Sequence, residues 1–141
     1  MLKGISKYLS PDLLAILYRM GHGDEIVLAD AHFPGHSLAQ QVIRADGVSV
    51  LQLLEGIMPL FELDTYEAPL IMMDCVDKDK LNLSVEQDYM RVIRQNVSAA
   101  KSPLRLERFA FYERARKAYA IVITGELRKF GNLIMKKGVT P

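Results

Sequence analysis

The side chains best suited to proton transfer are concentrated in one stretch, residues 21–36. It holds all three histidines of the 141-residue chain, His22, His32 and His36, together with three carboxylates. An imidazole ordinarily titrates near neutral pH, so it can give and take protons within one catalytic cycle. Glycines on both sides of His22 remove side-chain bulk and leave its ring accessible to a small ligand. We therefore expect acid/base chemistry at His22.

Asp30 is the second candidate because of what precedes it. Residues 25–29 are mostly apolar and are bounded by glycine and turn residues, which predicts a strand buried on both faces. Asp30 would then lie at the carboxyl end of that strand, the edge at which open α/β sheets bind ligands. In the structural alternative, His22 caps a helix and Asp30 caps the loop that follows the strand.

A metal interpretation is available for the other two histidines. His32 and His36 are four residues apart, with neighbouring aspartates as further ligands. That spacing brings two imidazoles together only on a helix, and Pro34 with the glycine after it predicts a loop over residues 31–37. We therefore predict no metal site. The alternative role for both histidines is to bond backbone groups of the loop or to meet a subunit interface.

Two other groups are suited to holding a polar ligand. Arg108 carries a guanidinium whose fork of donors can anchor a carboxylate or sugar hydroxyls. Phe130, Gly131 and Asn132 combine a flat apolar ring, a residue without bulk and an amide, which can stack on a sugar ring and bond its hydroxyls. An ordinary turn before a strand is the equal alternative for these three residues.

Composition limits the class of protein. With 18 basic and 17 acidic side chains the net charge is +1, too little to gather nucleic acid or an anionic membrane, although aromatic and arginine residues alternate over residues 108–114. The single cysteine, Cys75, excludes an internal disulfide, and GxGxxG and P-loop patterns are absent. No signal-peptide or membrane-spanning pattern occurs. We predict one domain, residues 1–141, soluble in a reducing cytoplasm, with a small-molecule partner.

Helical and extended patterns alternate along the chain. This predicts an α/β fold, a three-layer sandwich in which a mixed, largely buried sheet of about six strands has helices on both faces. Helices are predicted to begin at the Ser10 cap and end by Gly21, to follow the Ser49 cap, to begin at a capping box over Ser84–Gln87, and to cover residues 108–114. Strands are predicted over residues 25–29, 41–44, 70–73, 104–107, 119–124 and 133–135.

Several segments in register along the whole chain carry a resemblance. They are GHGDE at 21–25, DAHFP at 30–34, VIRADG at 42–47, PLFELD at 59–64, RFAFYER at 108–114 and KKGVTP at 136–141. Together they resemble the L-fucose mutarotase family, which is grouped with D-ribose pyranase.

The resemblance implies an enzyme that interconverts the α and β anomers of L-fucopyranose without a cofactor. It also implies a ring-shaped homo-oligomer, often a decamer, with sites near subunit contacts. By matching position, His22 resembles the family's proton donor, Asp30 and Arg108 its sugar-binding residues, and residues 130–132 the remaining contact. The family pattern has tyrosine where this chain has Phe130, so a phenolic hydroxyl is missing here. A D-ribose pyranase, another sugar mutarotase and a non-catalytic sugar-binding protein are the alternatives.

Overall fold

A computed structural model of the chain describes residues 1–76 and 81–141. Its strands are β1 (Glu25–Ala29), β2 (Val42–Ala45), β3 (Leu70–Met73), β4 (Leu104–Leu106), β5 (Ala120–Thr124) and β6 (Leu133–Lys136). Its helices are α1 (Pro11–Arg19), α2 (Gly35–Leu38), α3 (Val50–Ile57), α4 (Leu83–Asn96) and α5 (Arg108–Lys117), with a 3-10 turn at Met58–Leu60. The predicted strands are thus confirmed to within one residue at each end.

The six strands form one mixed sheet in the order β2-β5-β1-β6-β3-β4. Strand β6 runs antiparallel to both of its neighbours, β1 and β3, whereas the other pairs are parallel. The carboxyl ends of β1, β3, β4 and β5 therefore meet at one edge of the sheet, where β6 begins. We call this the carboxyl edge. The opposite edge, where β1 begins and β6 ends, is the amino edge.

Both faces of the sheet are covered, and the three-layer prediction is confirmed. In β1, Ile26 and Leu28 pack in a core built with α1, α3 and α4, whereas Val27 and Ala29 pack in a second core with α2 and α5. All four side chains are fully buried. Alternate residues of one strand thus serve two cores, which explains why the run is apolar without alternation. Among the described residues, no helix is long and apolar enough to cross a membrane.

Helix α4 corrects one prediction. The capping box expected at Ser84–Gln87 is wrong, because Leu83 is the first helical residue and Asn82 is the cap. The Asn82 side chain accepts hydrogen bonds from both the backbone N–H and the hydroxyl of Ser84, at 3.0 and 2.6 Å. Asparagine caps a helix as well as serine does. Here Asn82 also accepts a hydrogen bond from the Ser84 hydroxyl, which was expected to cap the helix.

The loop predicted over residues 31–37 is also wrong at its end, where Gly35 begins the short helix α2. The cause is packing that the local pattern does not reveal. A Cβ on Gly35 would lie 2.7 Å from Cδ1 of Ile123 on β5, so the absence of a side chain lets this backbone approach the sheet closely. Leu38, the last residue of α2, is buried, whereas His36 is exposed. Tertiary contact therefore overrides the breakers Pro34 and Gly35.

Gly125, at the end of β5, offers a test of this close packing. A Cβ there would lie 2.2 Å from the backbone carbonyl oxygen of Asp46, which cannot swing away as a side chain can. We expect Gly125→Ala to lower the free energy of unfolding by about 1–3 kcal/mol through overpacking. Urea denaturation measures this. The control is Gly47→Ala, where a Cβ meets nothing within 4 Å and stability should be unchanged. Equal stability of the two variants would contradict the packing argument.

Candidate active site

A reciprocal pair of hydrogen bonds joins Asp30 to Asn132 at the carboxyl edge. The backbone N–H of Asp30 donates to Oδ1 of Asn132 at 2.7 Å, and Nδ2 of Asn132 donates to Oδ2 of Asp30 at 3.0 Å. The antiparallel register of β1 and β6 makes this possible: Leu28 pairs with Leu133, so Asp30, which follows β1, and Asn132, which precedes β6, lie at the same edge. Asp30 and Asn132 are only 5% and 3% exposed.

Burial gives the Asp30 carboxyl an unusual proton affinity. Removal from water raises its pKa above the ordinary value, and the hydrogen bonds from the backbone N–H of His32 and from Asn132 oppose this only in part. Its carboxylate is therefore a stronger hydrogen-bond acceptor and a stronger base than that of an exposed aspartate. Such a group is suited to accepting hydrogen bonds from the hydroxyls of a ligand.

A cavity of about 310 Å3 opens beside this pair. Polar groups of six kinds line it, a carboxylate, an amide, a guanidinium, an imidazole, an ammonium and a phenol, together with apolar and aromatic side chains. This combination is typical of a site for a small ligand that has both hydroxyls and an apolar face. The lining residues are Asp30, His32, Phe33, Met73, Val76, Arg108, Tyr112, Lys129, Phe130 and Asn132.

The segment before β6 is held in an unusual conformation. Phe130 has φ of +60°, the left-handed region that non-glycine residues rarely adopt. Behind it, the buried hydroxyl of Tyr89 on α4 donates to the carbonyl of Gly131 at 2.9 Å. Arg128 is fixed by Glu126 at 3.0 Å and by Asp88 at 2.8 Å. The ring of Phe130 thus lines the cavity, and hydrogen bonds and ion pairs of the neighbouring residues hold its backbone in this conformation.

Helix α5 supplies two of the residues that line the cavity, Arg108 and Tyr112. Arg108 is its first residue, capped by the Glu107 side chain, and its guanidinium lies 4.6 Å from the centre of the Phe109 ring. Tyr112 lines the cavity one turn later, a residue that sequence reasoning missed. The sequence did hold a signal for Tyr112: it lies four residues after Arg108, and helix positions four apart share a face. Phe111, by contrast, is fully buried in the core, so this aromatic run does not form an exposed platform for bases.

His22 lies elsewhere. It precedes β1 at the amino edge, where the next residue, Gly23, donates from its backbone N–H to the carbonyl of Lys137 at 2.8 Å. The five residues of β1, about 16 Å of strand at about 3.3 Å per residue, stand between His22 and Asp30. The imidazole contacts Asp64 instead, with 3.1 Å between Nε2 and Oδ1. One chain therefore brings Asp30, Arg108, Phe130 and Asn132 together but leaves His22 outside.

The remaining histidines separate in a similar way. His32 lines the cavity, whereas His36 is exposed on α2. Over residues 1–76 and 81–141, no group of three or more histidine, cysteine, aspartate or glutamate side chains is arranged to hold a metal ion. Gly131, the other predicted contact, is buried and is not among the residues that line the cavity. A Cβ there would lie 3.0 Å from both the Tyr89 hydroxyl and a Glu126 side-chain carbon.

Asn132→Asp tests the reciprocal pair. The substitution would bring two carboxylate oxygens within about 3 Å, so one carboxyl must bind a proton for the folded chain to persist. We expect a loss of about 2–4 kcal/mol of unfolding free energy at pH 8. The loss should shrink as the pH falls toward 5, because the folded variant then keeps a proton that the unfolded chain has released. Thermal unfolding across this range measures the effect.

The matched control is Asn82→Asp, which adds the same charge at an exposed helix cap where aspartate serves as well as asparagine. Its stability should follow the wild type at every pH. A loss in Asn132→Asp that does not depend on pH would argue against the close pairing with Asp30.

Comparison with known proteins places this geometry in a family. The model of the RbsD / FucU transport protein family matches residues 3–140. An L-fucose mutarotase of Histophilus somni (strain 2336) is 61% identical over 142 residues, covering 100% of this chain and 99% of the relative. The crystal structure of the fucose mutarotase from Streptococcus pneumoniae in complex with L-fucose is 45% identical, with a TM-score of 0.95 over 99% of this chain and 100% of that chain. Bacillus subtilis RbsD, in a structure with D-ribose, shares the fold at 20% identity, with a TM-score of 0.71 over 100% of both chains. With matches that span nearly its whole length, this chain belongs to the RbsD / FucU transport protein family.

Proposed function

We propose that this chain is an L-fucose mutarotase, a carbohydrate isomerase that interconverts the α and β anomers of L-fucopyranose. The observation that carries the proposal is the cavity at the carboxyl edge, where Asp30, Asn132 and Arg108 face apolar and aromatic side chains. A volume of about 310 Å3 is at the small end for ligand sites and suits a monosaccharide. The full-length similarity to L-fucose mutarotases and to a fucose-bound structure supports the choice of sugar.

The reaction needs an acid and a base in turn. The sugar ring opens when its ring oxygen gains a proton while the anomeric hydroxyl loses one, and closure after rotation of the aldehyde end reverses both transfers. An imidazole can serve in both directions, because the group that acts as acid for opening must act as base for closure. We assign this role to His22. The reaction requires no cofactor, so none is proposed.

Sugar binding is assigned to the cavity residues. The Asp30 carboxylate and the Asn132 amide each retain bonding capacity beyond their mutual pair, so they can accept from and donate to hydroxyls. Arg108, at the start of α5, adds a fork of donors. Phe130 can stack on the C–H face of the ring and needs no hydroxyl for that. The phenol of Tyr112 remains in the cavity although position 130 has none.

The position of His22 gives this assignment a structural requirement. Since His22 and Asp30 lie at opposite edges of the sheet, one active site needs the carboxyl edge of one copy and the amino edge of another. The side chain of His22 is 46% exposed and thus accessible to a second copy. We propose a homo-oligomer, a decamer by family resemblance, in which neighbouring copies complete each site. Residues 1–141 would act as one mutarotase domain in the cytoplasm, without nucleic acid or membrane partners.

Anomer exchange in L-fucose, followed by saturation-transfer NMR, tests the activity. A catalytic amount of wild type should raise the exchange rate well above the spontaneous one. His22→Ala should remove most of the acceleration and leave the fold intact, while Asp30→Ala should mainly weaken sugar binding. Near wild-type exchange in His22→Ala would refute the role given to His22.

Other sugars separate the remaining candidates. D-ribose and D-galactose measured in the same way distinguish a fucose enzyme from a ribose pyranase or a broader mutarotase. A sugar-binding protein without turnover would saturate with fucose yet leave exchange at its spontaneous rate. No acceleration with any of the three sugars would overturn the proposed function.

Complementation tests the shared site. Co-expressed His22→Ala and Asp30→Ala chains should regain activity, because about a quarter of the sites in a random mixture combine an intact His22 from one copy with an intact Asp30 from another. The measurement is made well below saturating fucose, where each variant alone is weak. Activity no greater than that of the separate variants would mean that copies do not complete one another's sites.

A further inference from the structure

The carboxylate of Asp64 contacts the half-exposed imidazole of His22 but lies outside the cavity described above. Its side chain is only 3% exposed, and its Oδ1 lies 3.1 Å from Nε2 of His22. The two residues are 42 positions apart in the chain. The backbone brings them together, because the N–H of Asp64 donates to the carbonyl of Lys136 and the N–H of Gly23 donates to the carbonyl of Lys137. Both contacts are made at the end of β6, to its last residue and to the residue that follows it.

Hydrogen bonds hold both oxygens of this carboxylate. Oδ1 also accepts from the backbone N–H of Tyr66 at 3.3 Å, and Oδ2 accepts from the N–H of Glu67 at 3.2 Å. Burial acts to raise the pKa of the Asp64 carboxyl, but the bonds from His22, Tyr66 and Glu67 together bring it below the ordinary value. Asp64 is therefore ionised at neutral pH, and an ionised carboxylate can only accept.

The protonation of the imidazole follows from this. Because Asp64 can only accept, Nε2 of His22 must carry the hydrogen. In the neutral ring Nδ1 then holds the lone pair. The Tyr66 ring packs against the same imidazole, with 5.3 Å between ring centres and planes inclined at 48°, so the ring's orientation is limited as well. One nitrogen is thus occupied and the other is available.

From this geometry we infer that Asp64 is the positioning residue of the mutarotase reaction: it holds the Nε2–H of His22 and leaves Nδ1 as the atom that exchanges protons with the sugar. When Nδ1 takes up a proton, the imidazolium faces an ionised carboxylate that stabilises its charge. When the proton leaves, Asp64 restores the same tautomer for the next turnover. This inference rests on the proposed function for its chemistry, but the tautomer itself does not.

A merely structural role for Asp64 has a different consequence. In that case the carboxylate joins residues 64–67 to the chain before β1, and its loss would alter stability or sugar affinity without selecting one ring nitrogen. The tautomer of His22 and a separation of kcat from KM therefore distinguish the two roles.

The experiment uses the full-length protein with 13C,15N-labelled histidine. Magic-angle-spinning NMR of the sedimented protein at pH ~8.5, above the ordinary titration range of imidazole, identifies which ring nitrogen is protonated in each of the three histidines. His22→Ala assigns the His22 signals. We expect protonated Nε2 and bare Nδ1 in the wild type. In Asp64→Asn the amide can turn its NH2 toward Nε2, so we expect the tautomer with the proton on Nδ1 to become substantial.

Anomer exchange completes the test. Asp64→Asn should lower kcat by about tenfold or more, because a proton on Nδ1 of His22 prevents that nitrogen from acting as the base. KM should change less than about twofold, because the sugar-binding residues are unchanged. The control is Glu62→Gln, which removes the charge of an exposed carboxylate two residues away and should leave both readouts unchanged.

Three results would overturn the inference: a wild-type His22 protonated on Nδ1, an Asp64→Asn variant with the wild-type tautomer, or one with an unchanged kcat. The wild-type spectrum decides the first even if the variant does not fold. If the wild type does not accelerate anomer exchange, the proposed function fails instead, and the spectra still report whether Asp64 fixes the tautomer.

Discussion

The reciprocal hydrogen bonds between Asp30 and Asn132 are the interaction on which the carboxyl edge depends. They join the residue after β1 to the residue before β6, so the two antiparallel strands and the polar centre of the cavity are fixed by the same contact. A buried carboxylate without partners would be costly, and the amide offsets part of that cost while leaving bonding capacity for a ligand. The proposed substrate binding and the strand pairing thus rely on the same two residues.

The backbone strain at Phe130 lies next to this pair, two residues before Asn132. A left-handed φ at a bulky residue raises the free energy of the fold by roughly 1–3 kcal/mol, and it persists only because its surroundings determine it. Here those surroundings are the Tyr89 hydroxyl on the carbonyl of Gly131 and the ion pairs of Arg128. The conformation presents an aromatic face to the cavity. Stability is therefore given up at a position to which the proposed function assigns stacking on the sugar.

The sequence predicts this site unevenly, and the reasons are physical. Asp30 can be predicted from the sequence because a strand buried on both faces has a distinctive composition, and the carboxyl end of such a strand is a known place for ligands. Asn132 was named for its chemistry, but its bond to Asp30 requires β6 to run antiparallel, and pairing direction is not encoded in one strand's pattern. The helix start at Gly35 and the cap at Asn82 differ from the predicted loop and the predicted capping box at Ser84–Gln87 for related reasons. Packing against Ile123 and the choice between neighbouring caps depend on contacts that the local pattern does not reveal.

His22 shows most clearly what local patterns cannot reveal. It is eight residues before Asp30 in the chain, and residue spacing alone made them appear to be one site. A strand between them converts closeness in sequence into separation in space. If both serve one sugar, the contact between copies is head to tail, the amino edge of one against the carboxyl edge of the next. Such a heterologous contact must either close into a ring or extend into a filament. A closed ring would give every copy a complete site, and assembly is then part of the proposed catalysis.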